Sequence, residues 1–243
     1  MMTYSDSAPP RQRDTSAHTS AHGKVFLAQH RKSREWVALK RVYRANFNDS
    51  EPYEREFRGI TRYLPVSSQH PGLLHVHYVA RDEREGYFFY VMDLGDSEDS
   101  GWERNPPSYQ PLDLERERAR AEGKRLPVRE CVRIGLALAE ALEFLHQVGL
   151  LHRDIKPSNV IFVKGQPRFA DVGLVAEIPR PNREGTWVGT PGYMPPPPEP
   201  PGTVPADIYG LGMVLFAIST GGSPIHDFPK LSTTLVAQTS GAD

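Results

Sequence analysis

The chain has 243 residues, a formal net charge of −1, 38% hydrophobic and 24% charged residues, and one cysteine. That length suits one large domain or two small lobes with a real core. The near-neutral balance excludes an electrostatic case for nucleic acid or a membrane surface as partner. The lone Cys131 excludes an internal disulfide and a cysteine-cluster metal site, so a reducing, cytoplasmic setting is expected.

In chain order, residues 1–22 are rich in Ser, Thr, Ala, Pro and His and hold almost no large apolar groups, so they are predicted to be a mostly disordered N-terminal segment and not a signal peptide. From Gly23 the pattern changes. Lys24–Ala28 and Trp36–Lys40 read as strands separated by charged turn residues. Pro52–Leu64 reads as a helix, with Tyr53, Phe57, Ile60 and Leu64 at three- and four-residue spacing. His75–Ala80 and Tyr87–Met92 are two more strands. The stretch 93–127 is polar and irregular, with a short exposed helix expected inside Leu112–Lys124 whose charges form a solvated face. Val128–Gln147 is an amphipathic helix that buries Cys131, Ile134, Leu138, Leu142 and Leu145, with Gly149 suited to its end. Ile161–Val163 and Pro167–Ala170 form a hairpin around Lys164-Gly165-Gln166. Asp207–Thr220 is apolar almost all round and predicts a buried helix. Strands first and helices later predict an α+β, two-lobed architecture, with one lobe over 23–92 and a second over 93–243. No run approaches ~18 consecutive apolar residues, so no membrane segment is expected.

The strongest chemical signal is the run His152-Arg153-Asp154-Ile155-Lys156-Pro157-Ser158-Asn159-Val160, followed seventeen residues after Asp154 by Asp171-Val172-Gly173. Two carboxylates and an amide at this spacing fit metal-assisted phosphoryl transfer, one acid near an incoming hydroxyl and the other acid with the amide on Mg²⁺. The run resembles the catalytic loop of eukaryotic-type protein Ser/Thr kinases. The resemblance implies a bilobal kinase fold, ATP and Mg²⁺ as cofactors, and protein substrates with Ser/Thr acceptors, this chain itself included. Asp154 would then orient the substrate hydroxyl and accept its proton, Lys156 would steady the transferring phosphate, and Asn159 and Asp171 would hold the metal. Lys156 is the Ser/Thr form of the loop, which tyrosine kinases usually lack. His152 reads as a packed structural residue.

Further motifs extend the resemblance from about Gly23 to about Thr220. Val37-Ala38-Leu39-Lys40 is similar to the strand that ends in the nucleotide-binding lysine, and Lys40 needs a carboxylate to hold it, Glu56 best and Glu54 as the alternative. Met92-Asp93-Leu94-Gly95 occupies the hinge. Met92 would back the adenine pocket, main-chain groups at Asp93 and Gly95 would bond the adenine edge, and Val25, Ala38 and Ile161 would sandwich the ring. Asp207 opens a segment like the family's buried central helix, whose aspartate braces the catalytic loop. Gly189-Thr190-Pro191-Gly192-Tyr193 resembles the segment that docks the acceptor, with Thr190 near Asp154 and Lys156. Arg153 would bind a phosphate on the activation segment 171–199, Thr186 being the candidate acceptor. Leu126–Cys131 and 189–201 resemble the bacterial branch of the family.

Three departures are visible. The phosphate-covering loop should read Gly-x-Gly-x-x-Gly, but its slots hold His18, Ser20 and Gly23. Valine replaces the usual phenylalanine at 172. The stretch after Thr220 is short for the family's closing helices, and no arginine follows Arg183 to pair with Glu199, so an incomplete second lobe is expected. These departures sustain an alternative, a pseudokinase or nucleotide-binding interaction module with little turnover. A small-molecule phosphotransferase of kinase-like fold is a third reading, disfavoured by Lys156-Pro157 and by Gly189–Tyr193.

Overall fold

The computed structural model describes residues 16–20, 23–178, 189–200 and 202–227. A five-stranded antiparallel sheet comes first: β1 (Ser16–Ser20), β2 (Gly23–Gln29), β3 (Trp36–Tyr43), β4 (Val76–Asp82) and β5 (Tyr87–Asp93), in the spatial order β1-β2-β3-β5-β4. The disorder expected over 1–22 therefore does not extend to Ser16–Ser20. That segment pairs with β2, Ser16 opposite Phe26 and Ser20 opposite Gly23. Ladder pairing uses main-chain groups, which every non-proline residue carries, so a strand forms there without apolar alternation.

Helix α1 (Ser50–Tyr63) is started by Asp49, whose side chain accepts from the Glu51 N–H at 3.2 Å. It buries Tyr53, Glu56, Gly59, Ile60 and Tyr63 on one face. A Cβ on Gly59 would lie 2.2 Å from the Val175 carbonyl oxygen, and one on Gly173 would lie 2.4 Å from Glu56 Oε1. These two glycines let the helix lie directly on the 171–175 segment, which sets the depth of Glu56 in the fold.

After the hinge come α2 (Leu114–Arg120), α3 (Val128–Gln147), β6 (Leu150–Leu151), the hairpin β7 (Val160–Val163) and β8 (Gln166–Phe169), β9 (Ala176–Glu177, paired with β6) and α4 (Val204–Thr220). Helix α3 buries Cys131, Ile134, Leu138, Leu142 and Leu145 against α4 and the hairpin. Helix α4 is capped by Thr203, which accepts from the Ala206 N–H at 3.2 Å, and ends at Gly221 in the left-handed region, φ 76°. One apolar core runs from Val42 and Phe88 under the sheet, through Ile60 on α1, to Leu138, Phe169 and Val214. Each fully buried Leu, Ile or Phe contributes roughly 2 kcal/mol of transfer free energy.

The hinge is fastened to the hairpin. Asp96 accepts from the Lys164 and Gly165 N–H groups at 2.8 and 2.7 Å, and Arg168 Nη1 lies 2.6 Å from Asp93 Oδ2. Among the described residues no helix is long and apolar enough to cross a membrane. The short pair β6–β9 carries no periodicity and has no counterpart in the sequence reading.

Candidate functional site

A cavity of about 450 Å³ opens where the sheet meets the helical half, within the ordinary range for a ligand pocket. Val25, Ala38 and Lys40 come to it from β2 and β3, Met92 and Asp93 from β5, Gly95 from the hinge, and Ile161 from β7. Glu56, Asp154, Lys156, Asn159 and Asp171 line the same cavity. Gly23 does not line it; it sits in β2 opposite Val42, packed against the Arg41 carbonyl. Thr190 reaches the site through Asp154 and Lys156.

The polar end is built around two clusters. In the first, Lys40 on β3 extends into the protein, its side chain 5% exposed, and meets Asp171 Oδ1 at 2.5 Å and Glu56 Oε1 at 3.6 Å. Glu54 faces away from this group and pairs with Arg81. Burial alone would lower the Lys40 pKa, but the charges of Asp171, Tyr90 and Glu56 outweigh it and hold the ammonium well above its usual range. Of the two carboxylates, Asp171 has the short bond. Burial raises its pKa, yet Lys40 overrides burial and holds it below the usual carboxylate range. Glu56 is pushed up to about 7 by burial, with Lys40 opposing. Asp171 itself adopts a left-handed backbone, φ 51°, a region that Asp tolerates better than most residues.

The raised Glu56 pKa has a measurable consequence. Folded Glu56 holds its proton more tightly than in the unfolded chain, whose ordinary value is 4.5. Its stabilising contribution is therefore complete below that value and is lost as pH rises through about 7. Urea unfolding of the nucleotide-free protein is expected to show wild type losing up to about 3 kcal/mol relative to Glu56→Gln across that window. Asp171, whose shift has the opposite sign, stays ionised throughout that window and adds no slope there. Parallel stability curves for the two would contradict the assignment.

The second cluster surrounds Asp154. Its Oδ1 accepts from Thr190 Oγ1 at 2.7 Å, while its Oδ2 accepts from Asn159 Nδ2 at 2.7 Å and lies 2.9 Å from Lys156 Nζ. Lys156 also donates to Thr190 Oγ1 at 2.9 Å. Asn159 spends its second amide hydrogen on the Asp154 carbonyl at 2.8 Å, which leaves its amide oxygen as an acceptor. That oxygen and the Asp171 carboxylate are hard donors of the kind Mg²⁺ takes, so the side chains at this end fit a magnesium ion.

The loop carrying Asp154 is held from below. Asp207 on α4 accepts the His152 and Arg153 N–H groups, each at 2.8 Å, and His146 Nε2 lies 3.0 Å from its Oδ2. These bonds hold Arg153 at φ 73°. His152 is 1% exposed, packs on Phe169 and reaches the Ala170 carbonyl at 3.1 Å. Thr186, the acceptor expected to pair with Arg153, lies outside the described residues. Glu199 is only partly buried and accepts from Thr203 Oγ1 at 2.5 Å, so it has a partner without an arginine after Arg183.

Among the lining residues that the sequence reading did not place at the site are Leu74, Tyr90, Tyr109 and Asp113. Tyr90 was accessible by alternation, two positions before Met92 on the same strand. Tyr109, whose hydroxyl donates to the Gly95 carbonyl at 3.0 Å, comes from the irregular stretch and carried no signal.

Comparison with known proteins is consistent with this geometry. The family model described as protein kinase domain matches residues 20–239. The serine/threonine-protein kinase AfsK of Streptomyces coelicolor is 35% identical over 115 residues, 45% of this chain and 14% of the relative. PknI of Mycobacterium tuberculosis is 34% identical over 163 residues, 65% of this chain and 25% of the relative. PknG of Mycolicibacterium smegmatis is 38% identical over 100 residues, 41% of this chain and 13% of the relative. The chain thus spans at most a quarter of the length of these relatives.

Proposed function

The chain belongs to the protein kinase domain family, and on that premise we propose that it transfers the γ-phosphate of ATP to Ser or Thr hydroxyls of protein substrates. The observation that carries this reading is the bonding around Asp154, which presents one carboxylate, one ammonium and one amide in the lining of a nucleotide-sized cavity. The similar proteins are serine/threonine kinases by name, and Lys156 matches that form of the loop.

The apolar walls contributed by Val25, Ala38 and Ile161 suit a flat aromatic base, with main-chain groups at Asp93 and Gly95 within reach of its edge. Lys40, anchored by Glu56 and Asp171, supplies a fixed positive charge for the α- and β-phosphates. Asn159 and Asp171 would hold Mg²⁺, which when bound neutralises charge on the phosphate oxygens. Asp154 Oδ1 retains a lone pair beside the bond it accepts from Thr190, so it can take a bond from an incoming hydroxyl and receive its proton as oxygen attacks phosphorus and ADP leaves. Lys156 lies within 2.9 Å of that carboxylate and can follow the transferring group with its charge.

Ala38 is buried in the cavity wall opposite Leu27 on β2. Ala38→Leu is expected to weaken ATP binding at least about tenfold, read by calorimetry, because the added branch occupies space the base needs. Unchanged affinity would remove the base from this wall.

The reading as a whole is tested with γ-labelled ATP, Mg²⁺ and a generic basic or acidic protein substrate. Label on Ser or Thr of the substrate, or of the chain itself, is expected. The alternative of binding without turnover has one specific observation behind it. Two of the three expected glycine slots, 18 and 20, fall inside β1, which is paired with β2. An ATP-induced thermal shift with no transferred label would favour that alternative.

A further inference from the structure

We propose that His75, His77 and Asp93 form a binding site for one first-row divalent cation of the zinc class, at the sheet edge where β5 runs into the hinge. Each of the three offers one ligand atom, and these atoms all lie within 4.8 Å of one another. Among the described residues this is the only such group of three. Tetrahedral coordination with ordinary Zn–N and Zn–O bonds places ligand atoms ~3.3 Å apart, so no pair of these atoms has to close by more than ~1.5 Å.

The backbone assembles these residues. The Asp93 N–H donates to the His75 carbonyl at 2.9 Å, which locks the end of β5 beside the start of β4. The β4–β5 register then slips between Val76 and Tyr78, making His77 the extra residue of a bulge. A bulge re-aims the side chain it carries. Here His77 Nε2 comes 2.8 Å from Asp93 Oδ1, and its ring centroid lies 4.3 Å from that of His75. A hydrogen bond between His77 and Asp93 needs no second imidazole; the convergence of His75 on the same point is what a cation explains.

The remaining groups at the site suit this assignment. Burial, aided by His77, holds the His75 pKa below the usual imidazole range and keeps its ring available as a neutral donor. Arg168 occupies the other Asp93 oxygen at 2.6 Å, fixing the carboxylate with Oδ1 toward the histidines. Its positive charge also opposes a cation and weakens the expected affinity. Two imidazoles and one carboxylate favour zinc, cobalt, nickel or copper over magnesium or calcium, so this site is chemically separate from the oxygen donors Asn159 and Asp171. Three protein ligands leave a fourth position for water. The ion would tie β4 to the residue that begins the hinge.

The test uses the metal-stripped full chain without nucleotide, so its outcome does not depend on phosphoryl transfer. Zn²⁺ is titrated by calorimetry, and Co²⁺ by its visible d–d absorption, into wild type, His75→Ala and His77→Ala. Wild type is expected to bind one Zn²⁺ per chain with micromolar affinity and to give a tetrahedral-type Co²⁺ band. Both variants should bind at least about tenfold more weakly and lose the band. Should His75→Ala fail to give a wild-type far-ultraviolet spectrum, His77→Gln, at an exposed position, decides by the same criterion. No wild-type binding at millimolar Zn²⁺, or less than tenfold weakening in the folded variants, overturns the proposal.

Discussion

Asp154→Ala is expected to lower turnover on the order of a thousandfold while leaving ATP affinity within about threefold of wild type. The carboxylate is the shared acceptor for Thr190, Asn159 and Lys156, and it lines the cavity together with Lys156 and Asn159. Its loss removes the proposed proton acceptor and one of the two partners of Lys156, without touching Val25, Ala38 or Met92. Initial-rate measurements with labelled ATP, paired with calorimetric binding, separate the two effects. Equal losses in affinity and turnover would mean that Asp154 serves the pocket structurally. Unchanged turnover would mean that the chemistry, if any, lies elsewhere.

Asp207→Ala is expected to cost about 3 kcal/mol in stability and to slow turnover on the order of a hundredfold. The carboxylate is 3% exposed, and it satisfies two main-chain N–H groups that no other acceptor on α4 reaches in the described structure. Each buried donor left unpaired costs about 1–3 kcal/mol. The same bonds hold Arg153 in a left-handed conformation that a bulky residue adopts at a cost of about 1–3 kcal/mol, so the loop relaxes once they are gone. Asp154, one residue further on, moves with it. Asp207→Asn keeps one acceptor oxygen and should lose about half as much stability. Thermal unfolding and initial rates measure both quantities. A variant with wild-type stability would show that the loop does not rest on α4.

Much of this architecture was legible in residue order because the relevant signals are periodic or closely spaced. Val128–Gln147 was read to its observed ends, since a wide apolar stripe and a terminal glycine define a helix locally. Glu56 was separable from Glu54 by helical phase, Ile60 continuing the buried face one turn on. The 152–160 loop was readable because its polar motif is compressed into nine residues. What could not be read depends on long-range approach. Strand β1 is made by main-chain pairing to β2 and leaves no side-chain pattern. The close seating of α1 on the 171–175 segment rests on Gly59 and Gly173, which look like unremarkable glycines until their neighbours are known. Tyr109 enters the cavity from a stretch without period. The convergence of His75, His77 and Asp93 depends on a register slip that no local pattern announces.

The account rests on one nucleotide–magnesium complex being held jointly by β3, α1, the 152–160 loop and the 171–173 turn. A crystal structure of the protein with Mg²⁺ and a non-hydrolysable ATP analogue tests that directly. The predicted result has the base between Ala38 and Ile161, the phosphates on Lys40, the metal on Asn159 and Asp171, and the γ-phosphate facing Asp154. A nucleotide bound elsewhere on the molecule, or seated with its phosphates turned away from Lys40 and Asp171, would contradict it.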